Sequence, residues 1–234
     1  MITASMSTIA WREPGLAQAV ASILPQVDRL NVFLQGYDTV PACLENPRVR
    51  VLFSRDAPES AALGASAKFH WHWHGLLDDG YHVVVDDDVE YPPDYVRRCV
   101  AAIDAHDRRP IVGFHGMIYR RRVLSYFRDR RVWPFDKRCK ADTFVHALGT
   151  GTTAYHTSAI RLTPADYAEP NSCDLFLGLA AQRQRVPMLC LARPHGYLKA
   201  LPLASDPRAC AGPSDYETRM ARLHASIPSW EIHT

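Results

Sequence analysis

No stretch of the sequence approaches the roughly 18 apolar residues that a membrane-spanning helix needs, so nothing in it reads as an integral span. The opening residues, Met1-Ile2-Thr3-Ala4-Ser5, have neither the basic n-region nor the apolar h-region of a secretory signal. Cysteine is sparse. Cys43, Cys99, Cys139, Cys173, Cys190 and Cys210 stand far apart with no CxxC pair. That excludes a compact zinc knuckle and argues against a disulfide scaffold. Internal repeats and low-complexity tracts are missing too. Lys and Arg number 27 against 25 Asp and Glu, and the net charge of +2 gives no general bias toward nucleic acid. These absences predict a reduced, cytoplasmic protein with no nucleic-acid partner.

What is present is the balance of an ordinary globular chain, 47% hydrophobic and 22% charged over 234 residues. That length suits one large domain or two small ones. Charge is unevenly placed. Arg97 to Lys140 holds 13 Lys or Arg and 4 acids, so part of the surface is positive while the remainder is acidic.

Apolar periodicity alternates between strand and helix. Ile2–Ser5, Leu30–Leu34, Val49–Phe53, Tyr81–Val85, Ile111–Phe114 and Pro187–Leu191 read as strands. Leu16–Leu24, Leu63–Leu77, Asp94–Ala105 and Cys173–Gln184 read as helices, with Pro92 and Pro93 opening the third. Gly149-Thr150-Gly151-Thr152-Thr153 reads as a turn leading into a strand, and an amphipathic stretch spans Tyr216–Leu223. Strand and helix in alternation predict a mostly parallel α/β sheet flanked by helices. One domain with two unequal halves is expected: a first half to about residue 110, a second to about 200, and a C-terminal tail over 201–234.

The strongest local signal is Val83-Val84-Val85-Asp86-Asp87-Asp88, followed by Val89-Glu90-Tyr91-Pro92-Pro93. Three adjacent carboxylates ending a buried strand repel one another and resist desolvation. A divalent cation relieves that cost, and the carboxyl end of a parallel strand is where open α/β sheets bind ligands. Mg²⁺ or Mn²⁺ held by one or two carboxylates and substrate phosphates is therefore expected. The alternative is a solvated acidic turn. The run His70-Trp71-His72-Trp73-His74 puts His70 and His74 on one helical face, a spacing that can bind zinc. No third ligand lies nearby in sequence, and packing of Trp71 with partly exposed histidines is the better reading. Arg120 to Arg131, interleaved with Tyr126 and Phe127 and followed by Trp133 and Phe135, suits an anionic acceptor, a diphosphate or an anionic membrane face. A solvated loop whose Arg stems cover apolar surface is the plain alternative.

These segments together resemble the GT-A glycosyltransferases that build bacterial surface polysaccharides, of the inverting family 2 type. The resemblance runs over about residues 2–200. It is carried by Ile2-Thr3-Ala4-Ser5 with Arg12, Ser22–Asp28, Val32–Asp38, Gly64 with Lys68, the Asp86–Asp88 run with Tyr91–Tyr95, Cys173–Phe176 and Val186–Met188. It implies a Rossmann-like GT-A fold and an enzyme that moves a sugar from a nucleotide-sugar, UDP-sugar favoured, to a glycan or lipid-linked acceptor. Thr3, Ala4, Ser5, Arg12, Asp38, Arg55 and Lys68 then contact the donor. The Asp run is a DXD-type motif, with Asp86 and Asp87 toward the donor and Asp88, or Asp86 with it, on Mn²⁺ or Mg²⁺. Three consecutive Asp leave the register open by one residue. Asp174 matches the general base of inverting members, against a plain reading as a helix N-cap. His195 meets the metal, and His115, Arg193 and Lys199 face the acceptor or diphosphate. Peripheral contact of Arg120–Arg131 with the inner face of the membrane is a further expectation. Two rival readings are sugar-phosphate nucleotidyl transfer, which the lack of a Gly-rich basic loop over Ser7–Gly15 disfavours, and a binding module without catalysis.

Overall fold

Six strands running one way and two running against them make the central sheet of the computed structural model, which describes residues 1–120, 123, 125–167, 169–202 and 230–234. Arg121, Arg122, Cys210 and the stretch 216–223 lie outside the described residues. In chain order the elements are β1 Ile2–Ile9, α1 Glu13–Ile23, β2 Arg29–Gln35, β3 Val49–Phe53, α2 Pro58–Ala61 and, after a 3-10 segment over Gly64–Phe69, α3 His70–Trp73. Next come β4 Tyr81–Val85, β5 Val89–Glu90, α4 Tyr95–Asp104, β6 Ile111–Gly113, β7 Gly116–Tyr119 and β8 Arg130–Trp133. The chain continues through β9 Thr143–Phe144, β10 Ala147–Leu148, β11 Thr152–His156, α5 Cys173–Gln184, β12 Met188–Cys190 and β13 Lys199–Ala200.

The sheet order is β3-β2-β1-β4-β11-β6-β12-β9. The pairs from β3 through β4 and the pair β6–β12 are parallel, and β11 and β9 run antiparallel to their neighbours. The mostly parallel α/β sheet expected from the sequence is borne out. β7, β8 and β10 form a second, three-stranded antiparallel sheet, and β13 pairs with β5.

Hydrophobic burial explains the layering. Ala4, Met6, Val83 and Val85 pack with Leu16 and Ile23 of α1 and Tyr95 and Cys99 of α4 on one face. Val84 and Tyr155 on the other face pack with Phe69 and with Leu177 of α5, while Phe33 meets Ala67 and Trp71. β1 is buried on both sides, which is why its mixed sequence, Thr, Ala, Ser and Met, holds as a central strand.

Two expected elements need correction. β1 is four residues longer than Ile2–Ser5, because both its neighbours pair with it and β2 does so as far as Ile9. The helix expected over Leu63–Leu77 is instead the 3-10 segment plus the single turn of α3. Gly64 enters it at φ +59°, and the Ala65 N–H is taken by the Asn171 side chain. α3 nonetheless packs much as expected, with Trp71 buried. His70 Nδ1 lies 2.8 Å from Ser60 Oγ, and among the described residues no group of three His, Cys, Asp or Glu side chains could hold a metal ion. A polar chain crosses the sheet beneath α3. His72 Nδ1 and His82 Nδ1 lie 2.8 and 2.7 Å from the Tyr155 hydroxyl, and His82 Nε2 lies 2.8 Å from Ser5 Oγ.

Candidate active site

Asp86 follows β4 directly, at the carboxyl edge of the parallel strands. β1 pairs with β4 through Ser5 opposite Val84, so Ser7 and not Ser5 lies level with Asp86. The three carboxylates are fixed one by one. Asp86 Oδ1 lies 2.5 Å from the ammonium of the buried Lys68. Asp87 is 2% exposed, with Oδ1 accepting from Arg12 at 2.9 Å, and the same nitrogen lies 3.4 Å from Asp88 Oδ2. The protein thus supplies two cations of its own to the acidic run.

Those cations do not balance the site. Burial, then the charges of Asp86 and Asp87, push Asp88 up to about 6 despite Arg12 and Lys68. Burial likewise raises Asp87. Burial alone would lower Lys68, but Asp86 and, further off, Cys173 and Asp174 hold it above the ordinary lysine value. Tyr91 braces the turn: its hydroxyl accepts from the Asp86 N–H at 2.8 Å and donates to the Gly151 carbonyl at 2.6 Å.

Asp174 arrives from the start of α5. It does not cap that helix: Ser172 is the N-cap residue, with no side-chain cap bond. Asp174 Oδ1 instead accepts from both the N–H and the hydroxyl of Thr150, each at 2.8 Å. The N-cap alternative is thereby removed.

Two cavities meet at these residues. One, of 260 Å³, is lined by Ser7, Arg12, Lys68, Asp87 and Asn171 together with Asp86, Asp88, Thr150 and Asp174. The other, of 290 Å³, shares those last four and adds His115, Phe135, Gly149, Gly151 and Leu201. Burial holds His115 below the usual imidazole range, against the raising effect of Asp174. A further cavity, of 920 Å³ between α1 and α4, is lined by none of the four carboxylates.

Of the residues expected at the site, Arg12, Lys68, Asp86, Asp87, Asp88, His115 and Asp174 come together. Thr3, Ala4 and Ser5 do not: they are buried in the first half of β1, whose carboxyl end lies four residues on. Asp38 and Arg55 sit at the exposed ends of β2 and β3, where an Arg55 nitrogen lies 3.2 Å from the Tyr37 carbonyl and the guanidinium stacks 3.9 Å above Phe53. Neither lines the two cavities. Arg193 is corrected to a structural role, since its buried guanidinium donates to the carbonyls of Trp133, Pro134, Phe135 and Leu191. Lys199 pairs with Glu90 at 3.1 Å, on the wall of the large cavity. His195 is exposed beside Asp136 and lines neither carboxylate cavity. Ser7, Tyr91 and Thr150 went unassigned by the sequence, although the Gly149–Gly151 turn marks where the last of them lies.

No family model matches the chain, and no curated protein matches it by sequence. Solved structures do match by shape. GalNAc-T7, crystallised with UDP, GalNAc and Mn²⁺, superposes with a TM-score of 0.57 over 82% of this chain, at 10% identity. TarS from S. aureus superposes at 0.54 over 86%, at 14% identity. This is the GT-A fold. The likeness is one of fold, and the chain spans 42% and 36% of the length of those two proteins. Glucosyl-3-phosphoglycerate synthase from Mycobacterium tuberculosis matches 48% of the chain at 18% identity and a TM-score of 0.39, too little to indicate a shared architecture. On the GT-A frame, the acidic run lies at the carboxyl edge of β4 and both cavities open beside it.

Proposed function

We propose that the chain is a metal-dependent, inverting glycosyltransferase that moves a sugar from a nucleotide-sugar, UDP-sugar favoured, to a glycan or lipid-linked acceptor in bacterial surface polysaccharide synthesis. The observation that carries this reading is the pair of cavities sharing Asp86, Asp88, Thr150 and Asp174. The cavity with Arg12 and Lys68 suits an anionic diphosphate. The one with His115 and Phe135 suits an acceptor. Residues to about 110 supply most of the first chamber, and later residues most of the second. GalNAc-T7, of the same fold, was crystallised with UDP and Mn²⁺, which supports both ligands here.

Two of the carboxylates, Asp86 and Asp88, suit a hard divalent cation that takes its remaining oxygens from the donor phosphates and water. Four carboxylates face two cations in the chamber, and Asp88 carries the imbalance. Asp86 and Asp88 would hold the ion; when bound, it offsets charge on the departing diphosphate. Lys68 and Arg12 keep the carboxylates in place. Asp174, through Oδ2, takes the proton of the acceptor hydroxyl as that oxygen bonds to the anomeric carbon. The bond from that carbon to the diphosphate oxygen breaks on the opposite face, and the nucleoside diphosphate leaves with the electron pair.

The hairpin β7–β8 carries the basic segment. Arg130 stacks over Tyr126 and Phe127, Arg131 over Trp133, and Phe127 is 47% exposed. This face is proposed to rest on the anionic inner leaflet, where a lipid-linked acceptor is presented. Vesicle co-sedimentation tests it: binding should require anionic lipid and fade with salt.

The reading as a whole is tested by titrating UDP into the protein with and without Mn²⁺, followed by UDP-sugar consumption. Metal-dependent UDP binding with release of UDP from the sugar nucleotide supports it. Release of pyrophosphate on mixing UTP with a sugar phosphate would favour nucleotidyl transfer instead.

A further inference from the structure

We infer that Thr150 is a positioning residue for Asp174, and that the segment Gly149-Thr150-Gly151 is a rigid strap holding Asp174, Asp86 and His115 in one geometry. The inference rests on the proposed role of Asp174.

Every backbone carbonyl of the strap has a partner. The Gly149 carbonyl accepts from the Thr152 N–H at 3.1 Å and the Thr152 hydroxyl at 3.2 Å. The Thr150 carbonyl accepts from the Thr153 hydroxyl at 3.2 Å, and the Gly151 carbonyl from Tyr91. On the donor side, the Gly149 N–H goes to the His115 carbonyl at 2.8 Å. The Thr150 N–H donates to Asp174 Oδ1, and the Thr150 hydroxyl lies 2.8 Å from that same oxygen and 3.1 Å from Cys173 Sγ, the carboxylate being the nearer and stronger acceptor for its one proton. A carboxylate takes two such bonds on one oxygen readily, since charge-assisted bonds are the strong ones. Both fall on Oδ1, which leaves Oδ2 as the oxygen for a substrate proton. A backbone N–H alone would let the carboxylate swing about that single bond; the buried hydroxyl fixes its second coordinate.

The two glycines flanking Thr150 are demanded by the same packing. A Cβ on Gly149 would stand 2.9 Å from the His115 side chain, and one on Gly151 would overlap Asp86 Oδ2. The strap thus lies against the residues of both chambers at once, and Tyr91 ties it to the backbone of the acidic turn. Bases held to within a few tenths of an ångström are what in-line displacement needs. Sequence reading could see the Gly-Thr-Gly turn but not its partner, 24 residues further on.

The test compares Thr150→Val, which keeps shape and the backbone N–H but loses the hydroxyl, with Thr150→Ser, which restores it. Wild type and variants are assayed as full chains with Mn²⁺ for turnover of UDP-glucose and UDP-GalNAc, for UDP affinity and for melting temperature. The Val variant should lose about 10- to 100-fold in kcat, the scale of a misplaced reacting group, with KM and UDP affinity unchanged. The Ser variant should return to within about threefold of wild type. A Val variant with wild-type kcat, or one that loses UDP affinity in step with kcat, or a Ser variant that fails to rescue, overturns the inference. A second readout needs no turnover: the ¹³C shift of the Asp174 carboxyl carbon should move in Val and stay in Ser. If wild type turns over neither donor, the proposed function fails, while an unmoved carboxyl signal in Val would refute the positioning role by itself.

Discussion

Replacing Asp88 with Asn should stabilise the metal-free protein while destroying its response to metal. Asp88 is pushed up to about 6 from an ordinary value of 3.8, first by burial and then by Asp86 and Asp87. Near pH 7.5 the folded state therefore holds an ionised group about two pK units out of its range, and each unit is about 1.4 kcal/mol. The sign follows from linkage. An acid raised in the fold costs stability as pH climbs through 3.8, and the full cost is present above about 6. Asn removes the charge and keeps the shape. The side chain is 25% exposed, which lets water screen part of the cost, and the contact with Arg12 at 3.4 Å is lost with the charge. The expected net gain is about 1–2 kcal/mol at pH 7.5 in EDTA. That corresponds to a rise of roughly 2–8 °C in melting temperature for a chain of this size. The gain should vanish near pH 4, where Asp88 is protonated anyway. With Mn²⁺ and UDP the order inverts, because wild type gains binding energy that the variant cannot. Differential scanning fluorimetry across pH, with EDTA or with Mn²⁺ and UDP, reads all of this. If Asp88→Asn is less stable than wild type in EDTA at pH 7.5, the electrostatic account of the acidic turn is wrong.

The buried histidine chain predicts acid sensitivity: burial lowers His72 to about 4 and His82 well below 6.5, so the unfolded chain takes up protons first and stability falls as pH drops below 6.5, by up to about 1.4 kcal/mol per pH unit for each. Replacing His72 with Gln should remove its share of that slope in urea titrations at pH 5 and 7; an identical slope would remove His72 from the cause. Gly151→Ala should weaken Mn²⁺-dependent UDP binding by tenfold or more, on the order of one misplaced ligand, because the added Cβ would overlap Asp86 Cγ and the whole carboxylate must leave its place. Calorimetry with unchanged affinity would contradict the contact. Arg193→Lys should cost about 2–4 kcal/mol in chemical denaturation, because Lys cannot reach four carbonyls from one fork.

The sheet was legible in the sequence wherever burial writes a simple pattern. Val49–Phe53, Tyr81–Val85 and Cys173–Gln184 lie where their apolar runs put them. β1 was not, because Ser5, Ser7 and Thr8 look like an exit from a strand, whereas pairing with β2 as far as Ile9 keeps them inside one. The acidic turn was legible because three adjacent acids after a β-branched run demand compensation; that Arg12 and Lys68 share in it follows from folding, 75 and 18 residues away in sequence. Arg193 and Lys199 illustrate the opposite limit. Residue type says that a cation is present, while only packing says that one guanidinium is spent on carbonyls and one ammonium on Glu90. Thr150 and Tyr91 carry no chemical signature at all. Their roles come from what they touch.

The central claim, sugar transfer with Asp174 as the base, meets its most direct test in one comparison. UDP release from a UDP-sugar in the presence of Mn²⁺ is followed for wild type and Asp174→Asn, with UDP affinity measured on both. Loss of a general base predicts a rate lower by about 10²- to 10⁴-fold in the variant, with UDP affinity unchanged. Near-equal rates in the two proteins would contradict the account.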